Sequence, residues 1–301
     1  MSYIYNLKFI IMKTKNFMLG LAMAFSVIAC TKNEDDNDST TITSTEAIVN
    51  SKIDDAVDDV SNAIDEQVEA TQRTSVTAEA NSTNCPTVTR IPAFFNTTTT
   101  PATPIIPEIG STVTKKINFG NGCQLANGNV LKGIINVSFI YNPAATTRTV
   151  TYTFENFFHN LRQINGTKTF TKTLTATGFT VVMSMDLTVT LVDGSTFKRE
   201  GTRTRTIIEG YSTPLDFTDN VYQITGNWTT TYPGDNIQTS TITTPLIYKL
   251  ACLPTNFPIV SGVITFNRNG KTATLDYGNG ICDKTAVFTY KGVAVNIVLG
   301  K

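Results

Sequence analysis

Phe179-Thr-Val-Val-Met-Ser-Met-Asp-Leu-Thr-Val-Thr-Leu191 is a run in which an apolar residue occupies every odd position. Thr, Ser and Asp fill all but one of the even positions. Successive side chains of an extended chain point to opposite faces, so this period of two predicts a β-strand with one buried face. At about 3.3 Å per residue the strand is roughly 43 Å long, well above the usual strand length.

The same alternation recurs on both sides of this run, in shorter segments separated by glycine-containing turn signals. No helical pattern of about 10 to 15 residues separates the segments, which disfavours a parallel sheet with crossover helices. We therefore expect residues 111–301 to be all-β: a long-stranded antiparallel meander that forms a curved sheet, a sandwich or an open barrel. The clearest further strands are Val150–Phe154, Tyr222–Trp228, Leu246–Leu250, Ile264–Phe266 and Val293–Leu299. The turn signals are Asn127-Gly128, Asn165-Gly166, Asp193-Gly194, Pro233-Gly234-Asp235, Asn269-Gly270 and Lys291-Gly292.

The segment Thr196–Ile208 departs from this pattern because most of its length is polar at both odd and even positions. Two arrangements would explain a strand of this kind. The middle of a long sheet would rise clear of the core, or the strand would form a sheet edge that is guarded by charge.

One amphipathic helix is predicted before the β-domain, over residues 46–72. Ile53, Val57, Val60, Ile64 and Val68 recur at spacings of three and four, as expected for one face of a helix. The remaining face is rich in Asp and Glu, whereas a helix that lies on a membrane surface carries Lys and Arg there. We therefore expect the helix to pack on the β-domain or on another helix.

The N-terminus has the composition of an export signal. Lys13 and Lys15 precede an apolar run of about 12 residues, which is shorter than the roughly 20 that a membrane-spanning helix needs. Residues 1–29 are therefore expected to be a cleaved signal peptide, with Met12 as the expected start. The sequence Val27-Ile28-Ala29-Cys30 resembles a bacterial lipobox, which implies that Cys30 is lipidated. Residues 30–45 would then be a lipidated tether, and residues 73–110 a partly ordered linker.

The acidic run that follows this cysteine resembles the export signal that carries lipoproteins of Bacteroidota to the cell surface; it comprises Lys32, Asn33, Glu34, Asp35 and Asp36. The Thr-rich body, with its two Gly-Asn-Gly turns before cysteines, is also similar to a group of surface lipoproteins of Bacteroidota. This resemblance implies an outer-membrane, lipid-anchored protein on the cell surface. It implies no catalytic residue.

Four cysteines remain once Cys30 is acylated, and an even number outside the cytoplasm indicates disulfides. The motif before Cys123, Ile-Asn-Phe-Gly-Asn-Gly, is echoed before Cys282 by Leu-Asp-Tyr-Gly-Asn-Gly-Ile. Matched positions in the two copies favour the pairs Cys85–Cys123 and Cys252–Cys282. No Cys-x-x-Cys knuckle is present, so no metal site is expected from the cysteines.

Charge and threonine content give weaker signals. Residues 31–80 carry 13 acidic and 3 basic residues, a net charge of −10, whereas residues 81–301 carry 11 acidic and 18 basic residues, a net charge of +7. The basic residues form no stripe with interleaved aromatics, so nucleic acid is not an expected partner. Thr-x-Thr arrays would place hydroxyls in rows on one sheet face, either for glycan or ice contact or because threonine suits an exposed strand.

No catalytic or cofactor motif is present. His159 is the only histidine, and nothing in the sequence brings together two of the carboxylates of the β-domain, as a glycosidase would need. We therefore expect no cofactor and a non-enzymatic lipoprotein, anchored in the outer membrane, that binds a glycan, a lipid or an envelope protein. The alternatives are a purely structural envelope protein and a glycan hydrolase with a carboxylate pair. The carboxylates in question are Glu155, Asp186, Glu200, Glu209, Asp216 and Asp219.

Overall fold

The computed structural model describes residues 41–72, with side chains through residue 64, and residues 85–299. Within the second range, residues 94, 97, 99, 102, 126, 127, 214, 215, 217 and 254–256 are not described. One long helix is followed by a long antiparallel meander that is not closed into a barrel. The predicted fold class is therefore confirmed in its open, curved-sheet form. Among the described helices, none is long and apolar enough to cross a membrane.

The helix α1 spans Ser44–Gln72, and a short 3-10 helix spans Leu250–Cys252. The strands are β1 (Thr87–Ile91), β2 (Phe95–Asn96), β3 (Thr103–Pro104), β4 (Thr112–Asn118), β5 (Cys123–Gln124), β6 (Val130–Ile140), β7 (Thr147–His159), β8 (Arg162–Thr175), β9 (Gly178–Thr190), β10 (Thr196–Glu209), β11 (Val221–Tyr232), β12 (Asn236–Lys249), β13 (Ile259–Arg268), β14 (Lys271–Asn279), β15 (Thr285–Tyr290) and β16 (Val293–Val298).

The main sheet follows the order of the chain. Its path runs β1-β4-β6-β7 and then through each later strand in turn to β16, with every neighbouring pair antiparallel. The short strand β5 pairs with β6 beside this path, and β2 and β3 form a separate hairpin. Strand β1 comes from the segment 73–110, so part of that segment belongs to the sheet.

Most of the predicted turns join neighbouring strands, but the one at Asn165-Gly166 was wrong. These two residues lie inside β8, and the chain turns instead at Asn160-Leu161, where Asn160 has a φ of +54°. Gly166 serves a different purpose. A Cβ on Gly166 would lie 2.2 Å from the Asp186 carbonyl oxygen on β9, so glycine permits the two backbones to approach closely.

Gly201 in the middle of β10 has the same role, since it allows the β10 backbone to approach that of β11. A Cβ there would lie 2.5 Å from Trp228 Cα on β11, and its φ is +156°. Glycines inside long strands allow a sheet to bend sharply. The bend is needed because the sheet surrounds a helix.

The inner face of the sheet encloses α1. The helix begins with a capping box, in which the Glu46 N–H donates to Thr43 Oγ1 (3.2 Å) and the Thr43 N–H donates to Glu46 Oε2 (3.0 Å). From Glu46 to Ile64 no described side chain is exposed. Hydrogen bonds reach the helix from β7, β8 and each of the strands β10 to β13. A flat stretch of that many strands would be about 29 Å wide, whereas a helix is only 10–12 Å wide, so the sheet must curve around it.

The core is continuous between the helix and the sheet. Ile53, Val57 and Ile64 on α1 are buried in the same apolar cluster as Val181, Leu187 and other inward residues of the long strands. The predicted apolar stripe of the helix therefore packs on the β-domain as expected.

Both predicted disulfides are present. Cys85 pairs with Cys123 and Cys252 pairs with Cys282, each with a Cα–Cα distance of 5.5 Å. The first ties the chain before β1 to β5, and the second ties the 3-10 helix to the loop before β15. The two Gly-Asn-Gly turns thus occupy matched positions beside a disulfide.

Candidate functional site

The explanation for the polar segment Thr196–Ile208 is an ionic contact with the helix. This segment forms β10, which lies in the middle of the sheet between β9 and β11, so neither predicted arrangement is correct. Arg199, Arg203 and Arg205 point inward and are buried. Their side chains face the acidic side of α1, a contact that the sequence alone does not predict.

On the helix, the partners of these arginines form a stripe with a spacing of four residues. We call this stripe and its sheet partners the polar seam. Residues four apart are neighbours on successive turns but are rotated by about 40°, so the stripe winds slowly around the helix. It consists of Glu46, Asn50, Asp54, Asp58 and Asn62 on α1, with Lys168, Arg199, Arg203, Arg205 and Arg268 on the sheet.

Asp54 is at the centre of the polar seam. Its carboxylate accepts hydrogen bonds from Arg199 and Arg203, and all three side chains are at most 3% exposed. The Arg203 guanidinium also lies 4.0 Å from the ring centroid of Trp228. Burial lowers the pKa of Arg199, and the Asp54 carboxylate opposes that shift. Asp54 therefore supplies the negative charge that the two buried guanidinium groups require.

The two ends of the polar seam are held in the same way. Near the start of the helix, Arg268 donates to Glu46 Oε1 (2.9 Å). Near the other end, Arg205 donates to Asn62 Oδ1 (2.9 Å), and the Asn62 amide donates to the Tyr248 hydroxyl (3.2 Å). Between them, burial raises the pKa of Asp58, and the charges of Arg203, Lys168 and Arg205 oppose the shift. Charged and amide side chains thus bind the helix to the sheet from Glu46 to Asn62.

A second polar group lies beside the seam, where α1 meets the end of β7 and the start of β6. His159 Nε2 is 2.7 Å from Asp59 Oδ2. The Asn129 amide donates to Asp55 Oδ2 (3.1 Å) and to Asp59 Oδ2 (2.8 Å). We call Asp55, Asp59 and His159, with Asn129 bridging the carboxylates, the acidic cluster.

The orientation of the Asn129 amide follows from its neighbours. The Val130 backbone N–H donates to Asn160 Oδ1 (2.9 Å), which fixes the Asn160 amide so that its Nδ2 donates to Asn129 Oδ1 (3.0 Å). The Nδ2 group of Asn129 must then face the two carboxylates. Both aspartates are consequently held in position from the sheet side.

Asp55 has a perturbed titration. Burial, together with the charges of Asp59 and Asp58, raises its pKa to about 6, and His159 and the Asn129 hydrogen bond only partly offset this. Arg162 at the start of β8 also faces Asp55. Two nearby carboxylates with this surrounding charge do not both ionise without a free-energy cost.

We expect Asp55→Asn to raise the free energy of unfolding at pH 7 by roughly 1–3 kcal/mol. A carboxyl group whose pKa rises from 3.8 to about 6 on folding stabilises the fold below pH 3.8 and loses this contribution as the pH rises to about 6. The gain over the parent chain should therefore be absent near pH 3.5 and complete near pH 7. Urea unfolding of both chains at the two pH values measures it, and an equal gain at both would contradict the assignment.

The outer face of the sheet carries a different regular feature. Following register partners from strand to strand gives one hydroxyl or amide side chain on each strand of the path from β4 to β15, all of them exposed or half-buried. We call this set the hydroxyl row; at about 4.8 Å per strand it is roughly 48 Å long. Its members are Thr114, Ser138, Thr151, Thr169, Ser184, Thr202, Asn227, Thr241, Thr265, Thr274 and Thr289.

Neighbouring hydroxyls on this face hold one another in place. Thr151 and Thr169 are 3.3 Å apart between their Oγ1 atoms, and in the next row Thr149 and Thr171 are 3.0 Å apart. The Thr-x-Thr arrays of the sequence therefore do align across strands. Each paired hydroxyl retains further donor or acceptor capacity for a ligand.

The other sequence-predicted residues have mixed outcomes. Cys30 and the run Lys32 to Asp36 lie outside the described residues. His159 is wholly buried on the inner face. Asp186 and Glu200 are register partners on the outer face and both lie near Lys198 Nζ, at 3.8 and 3.0 Å, but their side chains are 64% and 51% exposed. Asp216 accepts hydrogen bonds from Thr218 within its own loop.

Comparisons with protein-family models, with curated proteins and with solved structures found no match.

Sequence reasoning missed the polar seam, although a signal for it exists. In Thr196–Ile208 the arginines share the odd positions with Phe197 and Ile207, which marks the odd face as the buried one. On the helix, a polar residue every fourth position from Glu46 to Asn62 gives the matching stripe. Neither pattern predicts the contact by itself. The polar seam follows only when the buried arginines of the strand are matched with the polar stripe of the helix.

Proposed function

We propose that this chain is a lipoprotein that is anchored in the outer membrane through Cys30, is displayed on the cell surface and binds a glycan there without catalysis. The lipobox Val27–Cys30 and the acidic run Lys32–Asp36 support the anchor and the location. The observation that carries the binding role is the contrast between the two faces of the sheet. The inner face is filled by the protein's own helix, and the outer face presents the hydroxyl row.

Because α1 occupies the inner face of the sheet, a ligand is expected to bind the outer face. Proteins built from curved sheets often bind small ligands in the interior of the sheet. Here the interior space holds α1, which has no exposed described side chain between Glu46 and Ile64. A ligand must therefore meet the outer surface, unless the helix leaves.

The hydroxyl row suits a polysaccharide because both are periodic. A polysaccharide presents hydroxyl groups at regular intervals along an extended chain, and hydroxyls act both as donors and as acceptors. A protein row that is already ordered loses little side-chain entropy on binding. The ten hydroxyl side chains and one amide of the row carry no charge, so a neutral glycan is the best match.

A glycan array with the Cys30→Ser chain, which would lack the lipid anchor, tests this proposal. We expect binding to a neutral polysaccharide and a loss of about tenfold in affinity for the double variant Ser184→Ala, Thr202→Val, since two hydrogen bonds of about 0.7 kcal/mol each would be lost. Thr196→Val, at the end of β10 and outside the hydroxyl row, is the matched control and should bind as the parent does. Absence of binding to every glycan would favour a purely structural envelope protein, and equal binding by the double variant would show that the glycan does not bind at the hydroxyl row.

A carboxylate-pair hydrolase has less support. Asp186 and Glu200 do face each other, but both are largely exposed and share an exposed lysine. Glycosidases hold the sugar between their carboxyl groups in a site that raises the pKa of the acid. An exposed pair on an outer sheet face does not provide such a site.

A further inference from the structure

We infer that Asp55, Asp59 and His159 form a binding site for a first-row divalent metal ion, for which Zn²⁺ is the probe, and that the ion joins α1 to the end of β7. One ligand atom from each residue lies within 4.8 Å of the other two. Ligand atoms that share a tetrahedral zinc ion at about 2.0–2.2 Å lie about 3.3–3.6 Å apart. To bind an ion, the widest pair of ligand atoms would approach by up to about 1.5 Å, and His159 Nε2 and Asp59 Oδ2, now 2.7 Å apart, would separate by about 0.6–0.9 Å.

The donor set selects the class of metal. An imidazole nitrogen and two carboxylate oxygens are ligands that zinc accepts, with a water or a further ligand in the fourth position. Calcium and magnesium prefer oxygen ligands alone. The single histidine therefore favours a transition ion over Ca²⁺ or Mg²⁺.

The distribution of buried charge favours a cation at this place. In the polar seam, Asp54 meets two arginines, and Asp58 faces the charges of Arg203, Lys168 and Arg205. In the acidic cluster, two carboxylates face His159 and the half-buried Arg162. Two buried or half-buried carboxylates this close together attract a divalent cation.

A second layer of hydrogen bonds orients the two carboxylates of the cluster. Asn129 bonds to both carboxylates and is itself fixed by Asn160, which is the second layer of hydrogen bonds that orients metal ligands. The ring of His159 is 0% exposed, and its Nδ1 has no hydrogen-bond partner among the described residues.

The cluster also has a path from solvent. Asp59, His159 and Asn129 are buried, whereas Asp55 is half-buried at the side of the helix. Asp55 is therefore the side from which an ion would approach the site.

Zinc titration of the Cys30→Ser chain, purified without a polyhistidine tag, tests the site. His159 is then the only histidine, and the four remaining cysteines are paired in disulfides. We expect one Zn²⁺ per chain by calorimetry, a rise in the midpoint of thermal unfolding, and Ca²⁺ and Mg²⁺ binding at least about tenfold weaker. Cobalt bound in place of zinc should give visible absorption bands that report nitrogen and oxygen ligands.

Three variants decide the outcome. His159→Gln and Asp55→Asn should each weaken zinc binding at least about tenfold and remove the cobalt bands. Asp55→Asn is expected to fold at least as well as the parent, so loss of binding there cannot be ascribed to unfolding. Glu155→Gln, an exposed carboxylate on β7, is the matched control and should bind zinc as the parent does. Absence of zinc binding at micromolar concentration, or equal binding by His159→Gln, would show that the cluster is only a hydrogen-bonded contact between helix and sheet. The glycan assay does not enter this test, so the two proposals fail independently.

Discussion

Replacing Asp54 with asparagine is expected to lower the free energy of unfolding by about 3–5 kcal/mol, the cost of breaking a buried ion pair by removing one partner. The substitution keeps the size of the side chain and removes its charge. Arg199 and Arg203, which are 0% and 2% exposed, would then lie in the interior without the carboxylate that compensates both. Because single-domain proteins have only about 5–15 kcal/mol of stability, this one change would take a large share of the total.

Trp228 gives a direct measurement of this effect. It is the only tryptophan of the chain, and its ring lies 4.0 Å from the Arg203 guanidinium and 5.4 Å from that of Arg199. Urea unfolding followed by tryptophan fluorescence therefore reports on the polar seam itself. The matched control is Asp55→Asn, the same chemical change at the next residue, for which we expect the opposite sign. If the two variants had equal stability, or if Asp54→Asn were within about 0.5 kcal/mol of the parent, the polar seam would not hold the helix.

The second large effect is expected from Cys30→Ser, which should move nearly all of the protein from the membrane fraction to the soluble fraction. The lipobox resemblance makes the Cys30 sulfur the attachment point of the lipid, and acyl chains provide about 0.8 kcal/mol of membrane affinity per buried CH₂ group. Cys30 lies outside the described residues and precedes the helix and every strand in the chain. The variant should therefore keep the tryptophan fluorescence and the unfolding midpoint of the parent.

Cell fractionation and labelling with radioactive palmitate measure the change. Deletion of Lys32 to Asp36 is the matched control for the anchor, since it leaves Cys30 in place and should leave the protein labelled and membrane-bound. Proteinase K treatment of intact cells then tests the surface location, because the deletion should protect the protein from digestion. Retention of Cys30→Ser in the membrane would contradict the lipoprotein proposal, and equal digestion of the deletion variant would contradict the export signal alone.

The two proposals use opposite faces of the same sheet. A metal ion at Asp55 and His159 would strengthen the contact between α1 and the inner face of the sheet, whereas a glycan would bind the hydroxyl row on the outer face. The long strands connect the two faces because each strand alternates between them. A rigid inner contact therefore also keeps the outer row in register.

The sequence by itself determined the local features of this protein. The alternation in Phe179–Leu191 predicts β9, and turn signals such as Asp193-Gly194 predict most of the hairpins, because both depend only on neighbouring residues. The echo of two motifs predicted both disulfides. The sequence also located the helix and its apolar stripe, since the spacing of Ile53 and Val57 is set by helix geometry alone.

Only the tertiary structure decided which faces meet. Arg199 bonds with Asp54, 145 residues earlier in the chain, and no local rule brings those two residues together. Gly166 looked like a turn residue because a close approach of two strand backbones leaves the same sequence signal as a tight turn. The hydroxyl row depends on the register of every strand pair from β4 to β15, and the acidic cluster depends on where the helix lies in the sheet. These features follow from long-range packing, which the order of residues along the chain specifies only through the whole fold.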